Sequence, residues 1–299
     1  MTGIYEAKPT AKMTLDAGIP RKRRWHWDGA MTAGLVGVLL IVGLVGVAVL
    51  APWISPYDPT ERVGRPFAKP GAEHRLGTND IGQDILSELI YGARVSLTIG
   101  IVSAVIALTI GTTVGLLAGY YPRVLGRILM RGVDILLILP FLPLLILLAA
   151  YLGRSLLNTV LVLGALIWAR PARIVRAMVM TLVNEDYVLA ARGVGATDAR
   201  IILRHILPQV LLLSVGQFVQ STSSAILLEA SLSFLGLGDP LQKSWGTVLY
   251  WAQVRGVFLT PAWRWWVLPP GLLISTAALG FALIGFALEQ IINPRLRTR

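Results

Sequence analysis

NEDYVLAARGVGATDARIILRHILP, residues 184–208, is a charged stretch set between two long apolar ones. Its local signals are helical. Asn184 is placed to cap a short helix over 185–192. Glu185 and Asp186 fall in its first turn, where the positive end of the helix dipole favours acids. Gly193 and Gly195 end that run, because glycine tolerates the left-handed backbone found at helix C-termini. Thr197 caps a second run over 198–207, and Pro208 opens the next apolar segment. The stretch reads as helix, glycine turn, helix, held at a membrane surface.

The rest of the chain supplies the membrane. Of 299 residues 55% are hydrophobic and only 14% are charged, where soluble domains carry about 25% charged residues. There is no cysteine, which excludes disulfides, thiolate metal sites and a cysteine nucleophile. His26, His74 and His205 lie far apart and suggest no metal site. No Gly-Lys pair occurs anywhere, so the phosphate-cradling loop of an ATPase is absent. Residues 30–50 follow the basic cluster Arg21-Lys22-Arg23-Arg24 and hold no charge. They exceed the roughly 7–15 residues of a signal-peptide core, so they read as an uncleaved membrane helix.

A crossing helix needs about 20 mostly apolar residues. Six segments qualify or come close: 30–50, 95–121, 135–152 with Pro140 and Pro143 inside it, a shorter one from Ser155 to Arg170, 206–228 and 265–288. The fourth is expected to continue as a helix beyond the membrane, with Arg173 and Arg176 on its wet end. The expected class is an all-α membrane protein with six transmembrane helices and both termini on one side. If that side is cytoplasmic, 18 of the 27 Lys and Arg residues lie inside, as the positive-inside rule requires. The net charge of +11 then has a membrane explanation rather than a nucleic-acid one. Segment 184–208 falls in the cytoplasm. The organisation is a cytoplasmic tail over 1–29, a first helix over 30–51, an extracytoplasmic loop over 52–93, a five-helix core over 94–290 and a tail over 291–299. Trp53, Trp245, Trp251, Trp263, Trp265 and Trp266 fall at the outer level and Trp25 and Trp27 at the inner one. Most of them are expected to serve as interfacial anchors.

Three ordered stretches resemble one family. In 184–208, Ala190, Ala191, Gly195, Leu207 and Pro208 stand at the spacing of the EAA loop of ABC-importer permeases. Leu189 replaces the usual Glu, and His205 takes a hydrophobic position. His74-Arg75-Leu76-Gly77-Thr78-Asn79-Asp80-Ile81-Gly82-Gln83-Asp84 and Glu229-Ala230-Ser231-Leu232-Ser233-Phe234-Leu235-Gly236-Leu237-Gly238 are similar to segments of the C-type permeases of the dipeptide, oligopeptide and nickel importers. Arg204-His205-Ile206-Leu207-Pro208 also suits that subfamily. The resemblance implies a type I importer permease fold in a bacterial cytoplasmic membrane. It implies a heterodimer with a second permease, two ATP-binding subunits and an extracytoplasmic solute-binding protein. ATP and Mg would sit in the partners, with no cofactor on this chain. The subfamily imports di- and oligopeptides, glutathione, nickel complexes and some oligosaccharides. The same resemblance makes 184–208 the coupling helix, with Glu185, Asp186, Tyr187, Leu189, Ala190, Ala191, Arg192 and Gly195 as ATPase-coupling residues.

Two further patterns bear on function. Gly111, Gly115 and Gly119 form overlapping small-xxx-small repeats, suited to close packing inside the bundle or against a second permease. Gln217, Gln220, Ser221 and Ser224 share a face of the fifth span. They either line a solute pathway or bond helix to helix. No span carries a charge near its centre, which weakens an ion-coupled carrier, the alternative that would work without an ATPase.

Overall fold

The computed structural model describes residues 29–292, and the described chain is helical with no named strand. Trp25, Trp27 and residues 1–28 and 293–299 of the two tails lie outside the described residues. Helix α1 is Gly29–Ile54, and α2 is Ile85–Tyr120. Then come α3 (Val124–Ile138), α4 (Phe141–Leu152), α5 (Leu156–Ile167) and α6 (Ala169–Leu182). Helix α7 is Asp186–Gly193 and α8 is Asp198–Ile201. A π-helical turn, Ile202–Ile206, runs into α9, Leu207–Phe234. The outer helix α10 is Trp245–Val254, a 3₁₀ turn covers Val257–Leu259, α11 is Trp263–Trp266, and α12 is Leu268–Ile292.

Four of the described helices or helix runs are long and apolar enough to cross a membrane, and a fifth is counted if α3 and α4 form one span. The fourth of the six expected crossings falls on α5 and α6, two short helices of 12 and 14 residues that do not reach that length individually. The third span departs from the single helix expected over 135–152. It is two helices bent by 92°. The cause is Pro140. A proline pushes the residue before it out of the helical region, and Leu139 sits at φ −64°, ψ 139°. Pro143 is harmless, because its missing N–H falls in the first turn of α4, where donors have no partner within the helix. Pro171 similarly divides α5 from α6, since it has no N–H for the Ile167 carbonyl. Trp168 at the junction keeps helical angles, φ −64° and ψ −21°, so the path continues with little interruption.

The second span starts ten residues before its apolar run. Asp84 caps it by accepting from Ser87 N at 2.8 Å. The end of the expected loop 52–93 is therefore helical. At 36 residues α2 is about 54 Å long, more than a hydrocarbon core of roughly 30 Å requires. It is the axial rod of the bundle. Gly111 faces the Trp168 carbonyl, Gly115 the Ala172 carbonyl and Gly119 the Val179 side chain, all on α6 or at its start. This small-residue face serves contact within the chain. Gly100 meets Ile226 of α9, and Gly164 of α5 meets Ile106. Helix α1 lies on α12, where Gly37 approaches the Gly280 carbonyl.

Two tryptophans expected as anchors are core residues instead. Trp245 and Trp266 are fully buried, and the Trp245 Nε1 donates to the Leu89 carbonyl at 3.0 Å. Trp53, at 77% exposure, keeps an anchor's position.

Candidate functional site

The stretch 184–208 projects from the end of α6 and returns into α9. Glu185, rather than Asn184, is the N-cap of α7, with extended angles of φ −69° and ψ 143°. The Asn184 side chain turns back to the Met180 carbonyl at 2.8 Å, which removes it from the cap. Asp186 falls in the first turn and Arg192 in the last, both favourable to the helix dipole. Gly195 has φ +84°, the left-handed conformation that glycine adopts without a steric cost. Its N–H donates to the Arg192 carbonyl and that of Ala196 to the Ala191 carbonyl, closing the helix end. Thr197 then caps α8 by accepting from Arg200 N. The π turn has its own cause. Pro208 cannot donate to the Arg204 carbonyl, and Leu207 N bonds five residues back to Ile202.

Val188 anchors the loop. It is fully buried in a cluster with Tyr120, Val179, Ile201, Ile206 and Val210, so α7 is pinned to α2, α6 and α9 at once. The face turned away from this anchor is open. Glu185, Asp186, Tyr187, Leu189, Ala190 and Arg192 are exposed, Ala191 is half-buried, and Val194 is 85% exposed. Exposed apolar side chains and small residues around one short helix form a surface fit for a protein groove.

Polar contacts hold the loop at two more points. On one side, Tyr120 Oη donates to Asp198 Oδ1 at 2.7 Å and Tyr121 Oη to Asp198 Oδ2 at 3.1 Å. These bonds hold the Asp198 carboxyl below the usual carboxylate range, the Tyr120 bond most strongly. The Arg192 guanidinium lies 5.9 Å from the Tyr120 ring centre. On the other side, Gln209 Nε2 donates to Tyr187 Oη at 2.7 Å, and the Tyr187 and His205 rings lie 6.3 Å apart. Sequence reasoning missed both. Tyr120-Tyr121 reads as the end of a span and Asp198 as an ordinary first-turn acid.

Above the loop, α9 and α12 border a cleft of about 750 Å³. Gln217, Gln220, Ser223 and Ser224 line it from α9 and Glu289 from α12. Ser221 does not. It is buried beside the lining face. Ser224 donates to the Gln220 carbonyl within its own helix. The Gln217 and Gln220 amides make no hydrogen bond among the described residues, which leaves both facing open space. No group of three or more His, Asp or Glu suited to a metal occurs among the described residues.

At the opposite end of α2 the two other motifs meet. Lys243 Nζ donates to Glu88 Oε1 at 2.6 Å and to Gln83 Oε1 at 2.8 Å, and Asn79 Nδ2 donates to the same two oxygens. His74 Nδ1 lies 3.0 Å from Asp84 Oδ1. Glu229 accepts from Ser233 Oγ and Ser96 Oγ at 2.7 and 3.2 Å, and Trp245 N donates to that same Ser96. The start of α2, the end of α9 and the connection to α10 are thereby one polar knot, buried at its centre. The family model described as "Binding-protein-dependent transport system inner membrane component" matches residues 111–298, which take in the loop and the cleft. The chain belongs to this family. It is also 39% identical to the di/tripeptide transport system permease protein DppC of Pseudomonas aeruginosa, over 99% of both chains. The dipeptide transport system permease proteins DppC of Haemophilus influenzae and Escherichia coli K12 are 35% and 37% identical. They cover 95% and 93% of this chain and 98% and 94% of their own.

The permease is a multi-pass component of the inner membrane. Transport, not covalent catalysis, is its work, and ATP is hydrolysed in another subunit. Its family implies partners of three kinds: an ATPase, a solute-binding protein and another permease.

Proposed function

We propose that this permease pairs with a second, different permease to import short peptides, driven by two ATP-binding subunits and supplied by an extracytoplasmic binding protein. The observation that carries this reading is the loop 184–208, anchored by the buried Val188 while its apolar and small residues stay exposed. The names of the relatives, di/tripeptide and dipeptide transport proteins, support peptides as the solute. The loop faces the cytoplasm with both termini, in line with the excess of Lys and Arg on that side. ATP and Mg bind in the partners, and this chain holds no cofactor. Closure of the ATPases moves Tyr187, Leu189, Ala190 and Ala191 as a rigid lever, and the bundle alternates between outward and inward opening.

In the same reading the cleft beside α9 is part of the pathway. The Gln217 and Gln220 amides each offer a donor and an acceptor, the complement of a peptide backbone. Uptake of a labelled dipeptide into proteoliposomes holding the whole complex tests this. Nucleotide-dependent uptake is expected, with a raised KM for Gln217→Ala/Gln220→Ala. Unchanged transport in that variant removes the pathway role. Transport by this chain alone without nucleotide overturns the importer reading.

A further inference from the structure

The glycine turn at Gly195 is a hinge in the middle of the lever. Across it α7 is held to α8 and α9 by the apolar packing around Val188, which is non-directional and would yield to a stroke more easily than hydrogen bonds. The structure carries side chains that reinforce this link. Arg192, before the hinge, lies over the Tyr120 ring, and Asp198, after it, takes the Tyr120 hydroxyl. Both arms of the loop therefore end on one residue at the inner end of α2. Tyr121 doubles the bond on the Asp198 side and is itself fixed. Its carbonyl accepts from Gly126 N at 2.9 Å in the tight turn to α3, and the two tyrosine rings pack edge to face at 4.9 Å. Helix α2 is fastened to α6 by the face of Gly111, Gly115 and Gly119. Loop, α2 and α6 thus form one body.

We propose that Asp198, Tyr120 and Tyr121 are positioning residues that bridge the Gly195 hinge and make α2 follow the lever. This rests on the importer reading above. The far end of α2 carries Glu88, paired with Lys243 ahead of α10. The clamp therefore gives an inner stroke a direct line to the outer face. A carboxylate is well suited to the centre of such a clamp. It has two oxygens, each takes one hydroxyl, and hydrogen bonds to an ionised acceptor are about twice as strong as neutral ones.

The test is the ratio of dipeptide taken up to ATP hydrolysed by the reconstituted complex. Tyr120→Phe/Tyr121→Phe removes only two hydroxyls. It is expected to lower the ratio about fivefold, the low end of measured coupling between sites, while ATP hydrolysis holds within about twofold. Asp198→Ala should lose as much, and the triple variant no more, because all three remove one device. Asp198→Asn should recover most of the ratio. Its carbonyl still accepts from Tyr120, and its amide can donate to the Tyr121 hydroxyl. An unchanged ratio in the double Phe variant, or losses that add in the triple variant, overturns the proposal. If the wild-type complex shows no ATP-driven uptake, the importer reading fails instead. The clamp is then judged by hydrogen exchange. Asp198→Ala must speed exchange across residues 117–121, and no change there overturns it.

Discussion

Adding one methyl group to α2 at Gly115 tests how tightly the rod is bound to the lever. A Cβ there would lie 2.5 Å from the Ala172 carbonyl oxygen and 2.8 Å from the Val175 Cβ. Comfortable heavy-atom contacts are about 3.5–4.0 Å, so α6 must retreat by about 1 Å. The obstacle is the backbone of a helix that cannot swing aside as a side chain would. Overpacking of this kind costs about 1–3 kcal/mol, and the upper end applies. Alanine recovers about 1 kcal/mol of helix propensity. The expected net loss for Gly115→Ala is about 2 kcal/mol. Gly132 in α3 is the matched control, because a Cβ there has nothing within 4 Å. Gly132→Ala should gain about 1 kcal/mol from propensity alone. The two substitutions are chemically identical and should move stability in opposite directions. Unfolding of the purified permease in one detergent, by denaturant or heat, measures both. Gly115→Ala as stable as Gly132→Ala would refute the close α2–α6 contact. Because α6 leads directly into α7, the same variant should also lower uptake per ATP.

In Gly195→Val the added Cβ has nothing within 4 Å, so the substitution starts in open space. The cost expected is backbone strain at φ +84°, about 1–3 kcal/mol and confined to the loop. The complex should assemble and hydrolyse ATP yet transport less; normal coupled uptake in a stable complex would count against the hinge. Lys243→Met leaves Glu88 buried without its cation and should cost about 3–5 kcal/mol, most of it restored by adding Glu88→Gln. Equal stability of the single and double variants would show that the pair is not what holds the outer knot. The clamp also has a pH signature. The Asp198 carboxyl sits below its ordinary 3.8, so its contribution is full above that value and is lost only as pH falls through the lowered one. Uptake per ATP should show no titration at Asp198 between about pH 8 and about pH 5. A step near pH ~6 that disappears in Asp198→Asn would sink the assignment of an ionised clamp.

The sequence exposes whatever in this fold is local and periodic. Apolar runs mark the bodies of α1, α2, α9 and α12, and Thr197 and Gly195 act where their chemistry says they should. Local rules failed by small amounts where two choices were close. Asn184 is the better capping side chain, yet Glu185 takes the N-cap position without a side-chain bond, while the Asn184 amide reaches the Met180 carbonyl. They failed by more at Pro140. Hydropathy sums over 135–152 see one span, but a proline restrains the residue before it, and Leu139 turned extended bends the path by 92°.

What joins the ends of α2 is written nowhere locally. Lys243 meets Glu88 across 155 residues and Asp198 meets Tyr120 across 78. Each reads alone as an ordinary surface charge or a span boundary. A bundle of apolar helices gives such residues few places to go. In hydrocarbon an unpaired charge is costly, so charge gathers at the two ends of the rod, where it is paired or meets water. At its inner end α2 runs past Gly119 straight into the bonds to the loop, and at its outer end it meets Lys243. The same physics that drives polar groups out of the core therefore puts hydrogen-bonded clamps at the points where a stroke enters and leaves it. A membrane lever of this kind should carry its coupling residues in helix-end pairs distant in sequence, and not along the apolar spans that identify the fold.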